Sequence, residues 1–381
     1  MTRPASVSDW RLRARKRLPR MMFDYIDGGS YAEETLRRNV EAMQRVALRQ
    51  RVLTDVSKLT LSTEVFGQKL AMPVILAPVG MAGLYARRGE VQAARAAEAA
   101  GLPFCLSTVS ICAIEEVRAA VERPIWFQLY MIKDRGFMAA LLERAKAAGS
   151  PVLVFTVDLP VPGARYRDVR SGLSGELSAL DKIRRGVDGL GHPGWLWDVM
   201  ARGGPQTFGN IASAMPKAKG TNDFATWIGR NFDPSVSWRD LEWVRERWDG
   251  PIVIKGILDA EDARLAVDAG ASGIVVSNHG GRQLDGVPST VEALPAIAEA
   301  VGGRATVLMD GGVRSGLDVL KALSLGAKSV LVGRAWAYAL AGGGGSGVGA
   351  MLTTLKRELE VAMALTGCTD VARAGKNLLV G

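Results

Sequence analysis

Cysteine is scarce in this chain: Cys105, Cys112 and Cys368 are the three among 381 residues. Thiols so few and so scattered support neither a disulfide framework nor a zinc site, so no metal is expected and a reducing cytoplasm fits best. Histidine is scarcer still, with only His192 and His279. Long hydrophobic runs are missing: no stretch of about 18 apolar residues is free of charge, which argues against a transmembrane helix. The opening Met1-Thr2-Arg3-Pro4 lacks the apolar core of a signal peptide. Acid is in deficit, with 39 Asp and Glu against 48 Lys and Arg, a net charge of +9. No nucleic-acid-binding module accompanies that charge. It reads either as a scattered basic surface with some arginines aimed at anionic ligands, or as contact with an anionic membrane.

What is present is a rhythm. Short β-branched runs alternate with Ala/Leu/Glu/Arg-rich helical patterns. Strands are expected at Pro73–Ala77, Pro103–Ser107, Ile125–Tyr130, Pro151–Val157, Pro251–Lys255, Gly273–Ser277, Thr306–Asp310 and Ser329–Val332. Helices are expected at Glu90–Ala100, Phe137–Ala148, Ala260–Ala269 and Gly316–Leu325, with glycines closing several of them. Strand–helix units in such a row predict one α/β domain over 1–381, a (β/α)₈ TIM barrel. The alternative, a doubly wound sheet, calls for a Gly-rich fingerprint after the first strand, and Ala77-Pro78-Val79-Gly80-Met81 is not one. Two segments break the rhythm. Residues 1–70 form an N-terminal extension of helices and a short hairpin around Gly67, placed to close the bottom of the barrel. Residues 172–236 form a long insertion after the fourth strand with no evident period, so it is either functional or disordered.

In a barrel of this type the active site is built on the C-terminal strand ends. Every expected end here is polar: Ser107-Thr108, Gln128-Leu129-Tyr130, Thr156-Val157-Asp158, Lys255-Gly256, Ser277-Asn278-His279 and Asp310-Gly311-Gly312-Val313-Arg314 among them. His279 follows a strand and precedes Gly280-Gly281-Arg282, which marks it as a candidate base; His192, in a Gly-His-Pro loop, reads as structural. Gly312 with Arg314, and Gly333 with Arg334 one strand later, form a candidate phosphate cradle, in which glycine backbone approaches the anion and arginine supplies a fork.

The string Ser277-Asn278-His279-Gly280-Gly281-Arg282-Gln283-Leu284-Asp285 resembles the active-site signature of the FMN-dependent 2-hydroxy acid oxidase and dehydrogenase family. The resemblance extends over Phe23-Asp24-Tyr25, Trp126–Tyr130, Thr156-Val157-Asp158, Lys255-Gly256 and Asp310–Arg314, and so over nearly the whole chain. Three further stretches, Tyr31–Val40, Pro162–Asp168 and Asn231–Trp243, resemble the bacterial respiratory L-lactate dehydrogenase branch in detail. The resemblance implies FMN as cofactor and oxidation of a small L-2-hydroxy acid, L-lactate to pyruvate, with a mandelate-type dehydrogenase or an oxygen-using oxidase as alternatives. It implies His279 as base, Asp158 as its orienting carboxylate and Lys255 beside the flavin. Tyr25, Tyr130, Arg165 and Arg282 would bind substrate. Ala77, Val79, Ser107, Gln128, Thr156, Ser277, Asp310, Gly312, Arg314, Gly333 and Arg334 would bind the cofactor. Read as residues alone, Tyr25 could be a packing aromatic, Asp158 a loop cap, Lys255 a barrel-core lysine paired with a carboxylate, and Arg165 a structural loop residue. Whether hydrogen leaves as hydride or as a proton followed by electrons stays open.

The resemblance also implies a homotetramer and electron transfer to a membrane quinone. Lys182, Arg184, Arg185, Lys217 and Lys219 with Leu190, Trp195, Leu196 and Trp197 in the insertion fit peripheral attachment to the inner face of the cell membrane; an ordinary lid is the competing reading. Gly80, lacking a Cβ, is expected to leave room beside the flavin for substrates larger than lactate.

Overall fold

A computed structural model describes residues 3–175, 178–215, 227 and 229–380. Eight parallel strands run in chain order around a barrel: β1 Val74–Leu76, β2 Cys105–Ser107, β3 Trp126–Leu129, β4 Leu153–Thr156, β5 Ile252–Ile257, β6 Gly273–Val276, β7 Thr306–Met309 and β8 Ser329–Val332. β8 pairs with β1, and a Leu76–Phe104 bridge brings β1 to β2. All eight expected strands are present, each within a few residues of its expected ends.

The runs of β-branched and large apolar residues follow from burial on both strand faces. Ile75, Val154, Val253, Val275, Leu308 and Leu331 fill the barrel interior. Their alternates, such as Leu76, Phe155, Ile254, Ile274 and Val332, pack outward under the helices. The N-terminal hairpin, Thr63–Val65 with Gln68–Leu70, delivers Val65 and Leu70 into the inner cluster. Burying each contributes about 1.5–3 kcal/mol. Phe66 at the hairpin tip lies against Trp126, the first residue of β3, with ring centroids 5.7 Å apart. The hairpin therefore plugs the N-terminal end of the barrel, as expected, and leaves the C-terminal end to the site.

The insertion departs from expectation. It holds a helix, Ala179–Leu190, opened by a capping box in which Ser178 and Asp181 satisfy each other's backbone N–H. Its apolar residues Leu180, Ile183, Val187 and Leu190 follow helical spacing but point outward and are more than half exposed, so the helix has no core-facing stripe. The Ser-x-x-Asp signature was the readable signal. Farther on, Phe208 and Ile211 are fully buried, and Asn210 donates to Ser107 O at 3.1 Å and accepts from Ile114 N at 2.8 Å. This part of the insertion returns to the end of β2 as core. Trp195 corrects the membrane expectation for that residue: it is 7% exposed and its indole donates to Leu84 O at 2.7 Å. Leu196 is likewise packed on the core, whereas Trp197 is exposed. His192 is structural, as expected; its Nδ1 lies 2.8 Å from Asp188 O. Lys217 and Lys219 lie outside the described residues.

Candidate active site

The loop after β6 carries His279 with φ of +56°, a left-handed conformation uncommon for a residue with a Cβ. Specific bonds hold it there. His279 N donates to Ser277 Oγ at 3.1 Å. Asn278 exchanges two amide hydrogen bonds with Asn39, at 2.8 and 2.9 Å, and its Oδ1 also accepts from Gly281 N at 3.1 Å. The buried Asn39–Asn278 pair fastens the loop to the helix Glu34–Arg45. Sequence reasoning assigned Asn39 no role, although it falls inside the Tyr31–Val40 stretch.

His279 Nδ1 lies 2.8 Å from Asp158 Oδ1. The carboxylate can only accept, so Nδ1 carries the proton and Nε2 is left as a bare acceptor. Burial pushes the His279 pKa below its ordinary value; Asp158 opposes that, while Lys255 and Arg165 add to it. For Asp158, burial acts to raise the pKa, but His279 and Lys255 outweigh it and hold the group below the usual carboxylate range. The pair is thus a neutral imidazole backed by a carboxylate. Asp158 fits only because its neighbour on β5 is glycine. Gly256 has φ of +110°, and a Cβ there would stand 2.5 Å from the Asp158 Cβ.

A cavity of about 890 Å³ opens over these strand ends. His279, Tyr25, Tyr130, Arg165 and Arg282 meet on one side of it. The Tyr130 hydroxyl is 3.5 Å from His279 Nε2. The Arg282 guanidinium sits 4.7 Å from the Tyr25 ring centroid, a cation–π contact. Arg165 donates to Arg282 O at 3.3 Å, and its closest carboxylate contact, Asp168, is 3.9 Å away. Burial, and then the charge of Arg282, lowers the Arg165 pKa. Two half-buried guanidiniums with so little countercharge make a site for an anion. The packing and loop-cap readings of Tyr25, Asp158 and Arg165 do not account for this convergence.

The other side of the cavity is lined by Ala77, Val79, Thr156, Lys255, Asp310, Arg314, Gly333 and Arg334. Lys255 Nζ contacts Asp310 Oδ2 and Ser277 Oγ, each at 2.9 Å. Burial works against its charge, but Asp310 and Asp158 prevail and raise its pKa. The reading of a barrel lysine paired with a carboxylate is therefore correct as geometry and compatible with a role toward a ligand. Three buried polar atoms, Gln128 Nε2, Thr156 Oγ1 and Asp310 Oδ1, have no partner among the described residues. Leaving such an atom unpaired costs about 1–3 kcal/mol. Their convergence at the ends of β3, β4 and β7 calls for a polar ligand. Ser107 Oγ and Thr108 N hold Gln128 Oε1, at 3.2 and 3.3 Å, which leaves Nε2 as the free end. This donor and acceptor set suits the pyrimidine edge and polyol chain of FMN. Ser107, Ser277 and Asp158 do not line the cavity themselves but hold residues of the site, Gln128, Lys255 and His279.

Arg334 is half-buried with Arg282 and Arg314 nearby, and desolvation foremost pushes its pKa down to about 9. It donates to Ile26 O at 2.9 Å, Gly280 O at 2.8 Å and Gly28 O at 2.7 Å. Arg314 uses one donor, on Val313 O at 2.9 Å. Gly312 also serves packing: a Cβ there would strike Asn39 O at 2.2 Å, so the N-terminal helix demands a glycine at this position. Gly333 meets nothing closer than 3.8 Å, and there the cradle is open. Gly80 is a correction. A Cβ on it would stand 2.8 Å from Val109 Cγ2 and 3.3 Å from the Tyr25 hydroxyl, so neighbours already occupy the space the missing methyl was expected to leave.

The profile of the FMN-dependent dehydrogenase family matches residues 14–380. An L-lactate dehydrogenase of Caulobacter vibrioides is 60% identical over 375 residues, 98% of this chain and 97% of that one. An L-lactate dehydrogenase of Acinetobacter baylyi is 58% identical over 376 residues, 99% of this chain and 97% of that one. The solved structure of the monotopic membrane protein (S)-mandelate dehydrogenase superposes with a TM-score of 0.93 at 36% identity, covering 100% of both chains. A mandelate oxidase superposes at 0.83 with 41% identity, over 99% of this chain and 98% of that one.

Proposed function

The chain belongs to the FMN-dependent dehydrogenase family, and we propose that it oxidises L-lactate to pyruvate at the membrane surface and delivers the electrons to a quinone. The observation that carries the chemistry is the unprotonated Nε2 of an Asp-backed His279 facing the same cavity as two under-neutralised arginines. FMN, when bound, takes up the two electrons that leave the substrate Cα. Gln128, Thr156, Lys255 and Asp310 would hold its ring and polyol chain, and Arg314, Gly333 and Arg334 its phosphate. Arg165 and Arg282 grip the substrate carboxylate, for which planar guanidinium forks are suited. Tyr25 and Tyr130 orient the substrate. His279 takes the hydroxyl or Cα proton onto Nε2, and Asp158 stabilises the imidazolium that results. The close relatives named as L-lactate dehydrogenases favour lactate over the mandelate of the structural neighbours.

The membrane part of the proposal rests on the insertion. Among the described residues no helix is long and apolar enough to cross a membrane. The Ala179–Leu190 helix instead presents Leu180, Ile183, Val187 and Leu190 outward, with Trp197 and Met200 beyond them and Lys182 and Arg184 exposed alongside. Apolar side chains beside cations suit an anionic lipid surface, where each Lys or Arg contributes about 1 kcal/mol. One wall of the cavity is formed by residues of this insertion, Met200 among them, which favours an acceptor arriving from the lipid side. The homotetramer implied by the resemblance belongs to the same reading and is tested by sedimentation.

Replacing Leu180, Ile183, Val187 and Leu190 by Gln is expected to abolish co-sedimentation with anionic vesicles at low salt and to slow quinone reduction. Lactate oxidation with a soluble dye should stay near the parent rate. An unmodified protein that remains in the supernatant, or that prefers oxygen to quinone, contradicts the membrane assignment and favours a soluble oxidase.

A further inference from the structure

One arginine of each pair in the site, Arg282 and Arg334, hangs on one turn of backbone, residues 25–28, where the helix Arg20–Asp27 ends. Arg282 donates from Nη1 to Tyr25 O and, at 2.9 Å, to Gly28 O. Arg334 donates to Ile26 O at 2.9 Å and to Gly28 O at 2.7 Å. The Gly28 carbonyl therefore serves an arginine of the substrate clamp and an arginine of the phosphate end together.

Asp27 anchors this turn. The residue is 4% exposed and bonded on both carboxylate oxygens. Arg11 Nε and the Tyr338 hydroxyl donate to Oδ1, the latter at 2.8 Å. Arg11 Nη2 and Arg167 Nη1 donate to Oδ2 at 2.9 and 2.7 Å. Each partner lies in a different part of the chain. Arg11 belongs to the helix Val7–Arg17. Tyr338 is one helical turn beyond Arg334 on the helix that Arg334 opens. Arg167 follows Arg165 in the segment after β4 and also pairs with Glu33 at 2.6 Å. Burial opposes the Asp27 charge, but these donors hold its pKa well below the usual carboxylate range, so the anchor is a fixed negative charge.

We propose that Asp27 is a positioning residue of the reaction: through Arg167 it sets Arg165 against the substrate carboxylate, and through Tyr338 it sets the helix that presents Arg334 to the FMN phosphate. The inference rests on the roles proposed above for Arg165, Arg282 and Arg334. It differs from simple cross-linking because the two arms serve different ligands and can be cut one at a time.

The test measures KM and kcat for L-lactate, FMN dissociation by recovered flavin fluorescence, and thermal unfolding, in the FMN-loaded protein. Arg167→Met leaves Asp27 its bonds to Arg11 and Tyr338. It removes the Arg167 bonds to Asp27 and Glu33 and is expected to raise KM roughly tenfold, the effect of Arg165 losing one charge-assisted hydrogen bond to the substrate carboxylate, with kcat and FMN retention little changed. Tyr338→Phe is expected to speed FMN loss several-fold and to leave KM of the FMN-saturated protein unchanged. Asp27→Asn should move both. If either single variant leaves its own parameter unmoved, or if KM and FMN loss shift only together with lowered thermal stability, the proposal is overturned. Arg282→Met distinguishes the positioning role from the clamp beneath it. A raised KM there with an unmoved Arg167→Met defeats only this inference; an unmoved KM in Arg282→Met defeats the clamp assignment and the inference with it.

Discussion

Replacing His279 by Gln is expected to leave FMN bound while slowing flavin reduction by L-lactate about 10²–10⁴-fold, the usual contribution of a general base. The amide that replaces the imidazole could still accept from Tyr130 but could not take a proton, and the cofactor contacts on the far side of the cavity would be untouched. Stopped-flow absorbance under anaerobic conditions reads the effect. Near-normal reduction would remove His279 from the proposed role. The same residue sets the pH dependence. The base works only when neutral, and burial holds its pKa below the ordinary histidine value of 6.5. Activity of the parent protein should therefore persist into mildly acidic solution and fall only below that value. A loss of kcat/KM beginning above it would mean that the imidazole is not held neutral in the working site.

Changing Arg314 and Arg334 together to Met is expected to give largely colourless protein. A phosphate monoester dianion needs countercharge, and these are the cations at the open end of the cradle beside Gly333. Arg334 also satisfies the carbonyls of Ile26, Gly28 and Gly280, so the double variant loses stability as well. Arg314→Met alone spares those carbonyls, because the Arg314 guanidinium donates instead to Val313 O. It should weaken FMN retention with little change in thermal unfolding of the apoprotein. Flavin released on denaturation, counted per chain, gives the answer. Full flavin content in the double variant would put the phosphate elsewhere.

The barrel was legible because parallel strands buried on both faces need β-branched and large apolar runs, and those runs stand out from the polar ends that follow them. The polar strand ends were legible for the same reason: polar and charged residues such as Lys255, Thr156 and Asp310 at the ends of apolar strands have few structural explanations. What escaped sequence reading is held by backbone. The carbonyls of Tyr25, Ile26 and Gly28 carry the arginines, yet a carbonyl leaves no mark on residue identity. Asn39 acts through a pairing with Asn278 far along the chain. Gly312 and Gly80 are set by contacts with Asn39 and Val109 that only the folded chain reveals. The Ala179–Leu190 helix was missed because Gly186 and Gly189 lower its helix propensity and mask a regular apolar spacing, and Trp195 was misplaced because a tryptophan reads the same in a core as at a surface.

In the proposed reaction this cavity oxidises L-lactate at FMN, with the carboxylate gripped by Arg165 and Arg282 and a proton taken by His279 from one side. The most direct measurement mixes the purified yellow protein with L-lactate and, separately, D-lactate in the absence of oxygen, and follows the visible flavin absorbance. Rapid bleaching by L-lactate, stoichiometric pyruvate and no response to D-lactate are predicted. Flavin that stays oxidised with L-lactate, or that bleaches equally with both enantiomers, would contradict it.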